Sequence, residues 1–226
     1  MTSWLESTRA WSWRYFFKMH LKFEARILTI GGELLKGTVL NTNAKFLAAE
    51  LTHLGFEVTE QSACPDTLQD IRQSLHRVLT SVDLVVLSGG LGPTPDDLTR
   101  DAVAEYFGVP LKFSQKQFSF IKKYYRKRGK KVPAMVRKEA MFPAHSIPLF
   151  NRYRIALGFY IQTCGKMVVV LPGVPQELEN MFHDLVVPSI QKHFPKISKR
   201  FPVIVKTVGA GEPEIMIKLG KDFFIF

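Results

Sequence analysis

The sequence predicts an α/β fold in which helices cover a mostly parallel sheet. Three observations carry this. Short apolar runs alternate with stretches of helical periodicity along most of the chain. The apolar runs have no polar face, as strands buried on both sides require. Three of them end in glycine-rich loops, where ligands bind in open sheets of this kind.

The elements follow in order. Arg26-Ile-Leu-Thr-Ile30 reads as a short buried strand ending at Gly31-Gly32. Leu47, Leu51 and Leu54 recur at i, i+4 and i+7, one helix face, and Gly55 supplies a left-handed stop. Phe56–Thr59 alternates as a second strand. Leu68, Ile71, Leu75 and Val78 mark a second helix, with Asp66 or Thr67 as its N-cap. Asp83–Leu87 is a third strand, and a helix over Leu98–Phe107 stops at Gly108. Met167–Leu171 is a further apolar strand, followed by Pro172-Gly173. Pro175 suits the first turn of a helix that turns Leu178, Met181, Phe182 and Leu185 inward. Val203–Val208 closes the series as a last strand.

Composition narrows the function. The 226 residues are 46% hydrophobic and 23% charged, enough for a core and too apolar for wholesale disorder. No apolar run approaches the roughly 18 residues of a membrane helix. Cys64 and Cys164 form no metal-binding or redox motif, which predicts a reducing, cytoplasmic setting. The net charge of +11 is local: Lys112–Lys138 holds eleven basic residues and no acid. Phe113, Phe118, Phe120, Tyr124 and Tyr125 interleave with them, as in single-strand binders. Helical spacing weakens a nucleic-acid role. Phe118, Ile121 and Tyr125 fall on one face, as core, and Lys116, Lys123, Lys127 and Lys130 on the other, as a solvated surface.

The candidate chemistry lies in the loops Gly31–Gly37, Ser88–Asp97 and Leu171–Pro175. Glycines let backbone N–H groups approach an anion, and a helix N-terminus adds partial positive charge. Tight turns are the competing explanation. None of the three is a Walker A loop or a dinucleotide fingerprint. Asp66, Asp96, Asp97 and Asp101 are the nearby acids. Carboxylates beside phosphates suit a divalent cation, with Mg²⁺ the expected ion, whereas Asp97 could equally cap the helix near Leu98. His53, His76 and His183 lack ligand spacing, and Cys64 reads as a buried inert thiol.

Four segments together resemble one family. Leu28-Thr-Ile-Gly-Gly-Glu-Leu-Leu-Lys-Gly37, Asn41-Thr-Asn43, Ser88-Gly-Gly-Leu-Gly-Pro-Thr-Pro-Asp-Asp-Leu-Thr99 and Leu171-Pro-Gly-Val-Pro175 are similar to the N-terminal domain of the CinA family, the competence/damage-inducible proteins. The resemblance runs from about Arg26 to Phe194. It implies a three-layer α/β/α sandwich of the MoaB/Mog molybdopterin-binding type. It implies a nucleotide diphosphate or pterin phosphate ligand, held by Gly31, Glu33, Gly37, Asn41, Asn43, Ser88, Gly89, Gly90, Gly92, Thr94, Asp96, Pro172 and Gly173. Asp66 and Asp97 would be the catalytic and metal-holding acids. ADP-ribose pyrophosphatase activity is implied for CinA-like domains. Adenylylation of molybdopterin is implied by the Mog-like alternative.

The sequence also departs from the family pattern. Gly32 stands where the first loop usually has Asp. The segment Asn151-Arg-Tyr-Arg-Ile-Ala-Leu-Gly158 replaces Asn-Pro-x-Gly-Thr-Ala-Pro-Gly, so Arg154 takes a glycine position. Both departures bear on catalysis rather than on the fold, and weak activity is expected. Residues 1–22 read as an extension, with Met19 the expected start. The MoaB/Mog-like domain is expected over residues 23–194. Residues 195–226 would begin a second small subdomain, with Phe223–Phe226 as an apolar tail able to drive self-association into a homo-oligomer. The amidase domain of full-length relatives, which acts on nicotinamide mononucleotide, is expected to be absent.

Overall fold

A computed structural model describes residues 23–152, 154–163, 165–199, 208–209 and 211–219. The extension at residues 1–22, the tail at 223–226, Cys164 and, apart from Val208, the strand expected at 203–208 lie outside the described residues.

One six-stranded sheet has the order β2-β1-β3-β8-β7-β6. Its first four strands are parallel: β1 (Glu24–Ile30), β2 (Glu57–Cys64), β3 (Leu84–Ser88) and β8 (Lys166–Leu171). The last two, β7 (Leu157–Thr163) and β6 (Ile147–Phe150), add antiparallel at one edge. Side chains alternate between two apolar layers, as strand geometry demands. Ile27, Leu84, Val86, Met167 and Val169 pack on one side. There they meet α2 (Thr42–Leu54) and the helical run formed by α6 (Pro175–Met181), a π-turn (Phe182–Val186) and α7 (Val187–His193). Leu28, Val85, Leu87, Val168 and Val170 face α3 (Leu68–Val78) and α4 (Thr99–Tyr106) on the other. This is the mostly parallel three-layer sandwich that the sequence predicts.

The element ends obey local rules. Gly55 takes φ 108°, and its N–H returns to Leu51 and Thr52 carbonyls. Thr67, not Asp66, caps α3, accepting Asp70 N–H at 3.2 Å. The second strand continues past the expected Thr59 to Cys64. It is an edge strand, so Glu60, Gln61 and Ser62 need not be apolar.

A small lobe holds the basic segment. It comprises β4 (Leu111–Phe113), α5 (Gln115–Arg126), a 3₁₀ turn (Ala134–Ala140) and β5 (Met141–Pro143). Ile121, Val136 and Ala140 are its core, with Phe113, Phe118 and Tyr125 packed around them. The short helix α1 (Gly32–Leu35) follows β1, and α8 (Glu212–Leu219) lies after the main domain.

Candidate functional site

Strand register brings the loops together. Ile30 pairs with Cys64, Thr29 with Ser88, and Ser88 with Leu171, so four strands end on one level. Gly31 N–H donates to Cys64 O at 3.1 Å and Gly89 N–H to Leu171 O at 3.1 Å. The three glycine loops therefore stand side by side at the carboxyl edge of the sheet.

The Gly89–Asp97 loop is built around its glycines. Gly89 has φ 110°, and a Cβ there would lie 2.2 Å from Ile30 O. Gly90 has φ 64°, and its Cβ would lie 2.2 Å from Thr99 Oγ1. Any side chain at either position meets strain and overlap. Gly90→Val, an obvious substitution for blocking the loop, would thus disturb the fold as well. The loop's carbonyls are tied down by the start of α4. Thr99 Oγ1 donates to Gly89 O at 2.8 Å, and Thr99 N–H to Gly90 O at 3.2 Å. Arg100 Nη2 donates to Leu91 O, and Nη1 to Gly92 O at 3.3 Å. In a trans peptide the N–H points opposite to the preceding carbonyl. The N–H groups of Gly90, Leu91 and Gly92 therefore face the other side of the loop. Among the described residues none of the three meets an acceptor. Successive free N–H groups at a helix start attract an anion.

The neighbouring residues brace this edge. Asn41 caps α2, accepting Ala44 N–H at 3.0 Å, and donates to Thr29 Oγ1 at 2.9 Å. Asn43 Nδ2 donates to Ser88 Oγ at 2.9 Å and to Gly173 O at 2.8 Å. Ser88 Oγ donates to Pro172 O at 3.2 Å. A Cβ on Gly173 would lie 3.4 Å from Gly89 Cα, so the loops after β3 and β8 touch. Gly31 has an extended backbone, and a Cβ there would meet the Glu33 carboxylate. Gly37 takes φ 69° in open space.

The predicted acids take distinct positions. Asp66 Oδ2 accepts Gly32 N–H at 2.8 Å. Asp97 Oδ2 accepts both N–H (2.8 Å) and Oγ1–H of Thr94, closing the loop on itself. Asp97 does not cap α4, whose N-cap is Leu98 without a side-chain bond. Asp96 is exposed. Asp101 lies 3.4 Å from Lys138 Nζ. Among the described residues no three His, Cys, Asp or Glu side chains gather to hold a metal. A cation here would draw most of its ligands from water and phosphate, as Mg²⁺ commonly does. Asp66 and Asp97 each use one carboxylate oxygen in a local bond.

Sequence reasoning passed over several residues. Arg100 and Glu139 are both buried, 0% and 3% exposed. Burial pushes the Glu139 carboxyl up to about 7, against the lowering pull of Arg100. Lys138 Nζ donates to Asp97 O at 2.7 Å, joining the basic lobe to the loop. Asn151 Nδ2 donates to Glu177 Oε2 at 2.8 Å, and Arg154 Nε lies 3.9 Å from Glu177 Oε1. Burial raises the Glu177 carboxyl, while Arg154 and Asn151 hold it down. The one usable signal was Glu139 itself, the first acid after the long basic run.

The remaining candidates fall elsewhere. Burial pushes the Cys64 thiol up to about 11, which suits an inert thiol. His76 lies tilted against Tyr106 with ring centroids 6.4 Å apart, and His183 lies between Phe46 and Phe182 with Nδ1 3.8 Å from Glu50. A surface groove of about 720 Å³ between α3 and α4, lined by Arg72, His76 and Tyr106, lies on the outer helical face. In the basic lobe, Lys122 sits over Phe118 (5.1 Å), Arg137 over Phe113 (4.3 Å) and Arg128 over Tyr124 (3.6 Å). Lys116, Lys123, Lys127 and Lys130 are exposed. No helix among the described residues is long and apolar enough to cross a membrane.

The sandwich and its loop edge match a known class. The family described as a probable molybdopterin binding domain matches residues 26–192, and the chain belongs to it. Within that class the chain is CinA-like. A CinA protein from Thermoplasma acidophilum superposes with a TM-score of 0.67 at 35% identity, covering 76% of this chain and 97% of that one. A CinA-like protein from Thermotoga maritima is 42% identical over 72% of this chain and 40% of its own length. A competence-damage inducible relative from Caldicellulosiruptor saccharolyticus is 40% identical over 87% of this chain and 47% of its own. The chain thus spans about half the length, or less, of such relatives. The molybdopterin biosynthesis enzyme MoaB from Thermus thermophilus shares the fold, with a TM-score of 0.50 at 19% identity over 77% of this chain and 96% of that one.

Proposed function

We propose that this domain binds the diphosphate of a nucleotide such as ADP-ribose and hydrolyses it slowly. The carrying observation is the Gly89–Gly92 loop, whose carbonyls are fixed and whose N–H groups are free. These amides would hold phosphate oxygens and stabilise charge that develops on phosphorus. Asp66 and Asp97 would hold a divalent cation, which supplies charge neutralisation and Lewis acidity at the diphosphate. Gly31, Glu33 and Gly37 of the neighbouring loop, with Thr94 and Asp96, would complete the ligand's surroundings. Asn41, Asn43, Ser88, Pro172 and Gly173 act mainly by bracing the edge. Hydrolysis adds one water and yields AMP and ribose 5-phosphate. The functional unit spans residues 23–194, in a cytoplasmic setting. The MoaB-type fold supports a second reading, in which the acceptor is a pterin phosphate instead of water.

Thermal melting of the full chain with ADP-ribose, AMP, ATP and molybdopterin, each with and without Mg²⁺, tests binding. A ligand at 100 times its dissociation constant stabilises by about 2.7 kcal/mol. ADP-ribose with Mg²⁺ is expected to give the largest shift, and phosphorus NMR should then show AMP accumulating. A shift confined to molybdopterin, with adenylylated pterin formed from ATP, would favour the second reading. No shift with any of the four would remove both.

A further inference from the structure

Arginines at phosphate sites usually fork directly onto the anion. Arg100 is placed where it does not. Its side chain is wholly buried, at 0% exposure, beneath the loop it would be expected to serve. Its guanidinium donates to Leu91 O and Gly92 O. Its Nε is buried and has no partner among the described residues. The charges of Asp101, Glu139 and Asp97 act on it. A cation held under a loop by its carbonyls is an orienting device.

We propose that Arg100 is the positioning residue that aims the Gly92 N–H at bound phosphate, working on the loop's carbonyls from behind and never touching the anion. The inference rests on the phosphate-binding reading of the same loop. The logic is peptide geometry. Drawing Leu91 O inward turns the Gly92 N–H outward, because the two are opposed across a planar trans peptide. Gly92 O is drawn inward too, but the next residue is Pro93, which has no N–H to present. The division of labour is therefore specific. Thr99 fixes the Gly89 and Gly90 carbonyls, and so aims the Gly90 and Leu91 amides. Arg100 fixes the Leu91 carbonyl, and so aims Gly92. Lysine cannot substitute, since one ammonium on a flexible stem lacks the planar fork that spans two carbonyls.

The test is nitrogen-15 NMR of the full chain, titrated first with pyrophosphate and then with ADP-ribose. In the unmodified protein the Gly90, Leu91 and Gly92 amide protons should move downfield. The Arg100 side-chain nitrogens should show no coupling to phosphorus. In Arg100→Lys the Gly92 response should shrink by more than half, while Gly90 keeps its own. Affinity should fall about tenfold, as loss of one charge-assisted orienting contact implies. A folded Arg100→Lys with an unchanged Gly92 response and unchanged affinity overturns the proposal. Direct coupling between Arg100 nitrogens and phosphorus in the unmodified protein overturns it as well, and decides alone if the variant does not fold. If none of the three amides responds in the unmodified protein, the phosphate-binding reading fails and this inference with it. That outcome is distinct from responding amides that ignore Arg100.

Discussion

Two loops of this molecule look alike in sequence and differ in construction. Gly31-Gly32 follows β1, and Gly89-Gly90 follows β3, each at the carboxyl edge of the sheet. After β3 the glycines are demanded by the backbone, with φ values of 110° and 64° and no room for a Cβ. After β1, Gly31 is extended, and the Gly32 N–H is already taken by Asp66. One loop presents free donors on a pinned frame. The other has the N–H of its second glycine satisfied internally by Asp66 and opens into a single helical turn. Glycine after a strand marks a turn; a cradle also needs carbonyls restrained from the opposite side.

Alanine substitutions should break the pair apart most strongly. Gly89→Ala places a Cβ 2.2 Å from Ile30 O at φ 110°. Backbone strain and overpacking together should cost about 4 kcal/mol. Gly37→Ala, at φ 69° with open space around it, should cost only about 1 kcal/mol. Urea unfolding of both variants measures the contrast. Similar losses at the two positions would mean that the loops are equally constrained.

A second difference lies underneath. The Gly89 loop rests on a buried ionisable layer that includes Glu139, whose carboxyl burial raises from 4.5 to about 7. A carboxyl raised in the folded state binds its proton more tightly there than in the unfolded chain. Its contribution to stability is full below about pH 4.5 and fades as pH rises to about 7. That difference is on the order of 3 kcal/mol, at 1.36 kcal/mol per pH unit. The melting temperature should therefore carry a falling component between these limits. Glu139→Gln, a neutral isostere, should remove it. A variant with the same pH slope as the unmodified chain would exclude Glu139 as its source.

The sequence made one half of this architecture readable and hid the other. β1, β3 and β8 announce themselves because both faces are buried, so the apolar run is unbroken. The helix faces of Leu47/Leu51/Leu54 and Ile71/Leu75/Val78 are equally plain, and all six side chains are buried. β6 and β7 were not foreseen. They pair antiparallel at the far edge, and Tyr160, Gln162 and Thr163 interrupt any run. Their identity as strands comes from pairing, β7 on β8 and β6 on β7, which local periodicity does not reveal. Likewise, loop glycines and acids could be found from spacing, but the meeting of Arg100 and Glu139 could not. Their proximity depends on the small lobe folding back through Lys138 onto Asp97.

The smallest expected effect comes from restoring the family pattern at the weaker loop. A Cβ on Gly32 would lie 3.4 Å from Asp66 Oδ2. Gly32→Asp therefore sets two carboxylates close together, and their repulsion should cost about 1 kcal/mol without a cation. Mg²⁺ should reverse that loss, because a carboxylate pair binds it better than one alone. Arg154→Gly removes an ion pair at 3.9 Å whose arginine side chain is 60% exposed, so stability should change by less than about 1 kcal/mol. Glu177 keeps its bond from Asn151 but loses a charge that holds its carboxyl down. The double variant should show a larger Mg²⁺-dependent melting shift than the unmodified chain and faster release of AMP from ADP-ribose. A larger metal shift without faster release would mean that the β1 loop recruits the cation while the β3 loop sets the rate. No change in either would mean that neither departure limits the site, and that the contrast between the loops lies in the Gly89 frame alone.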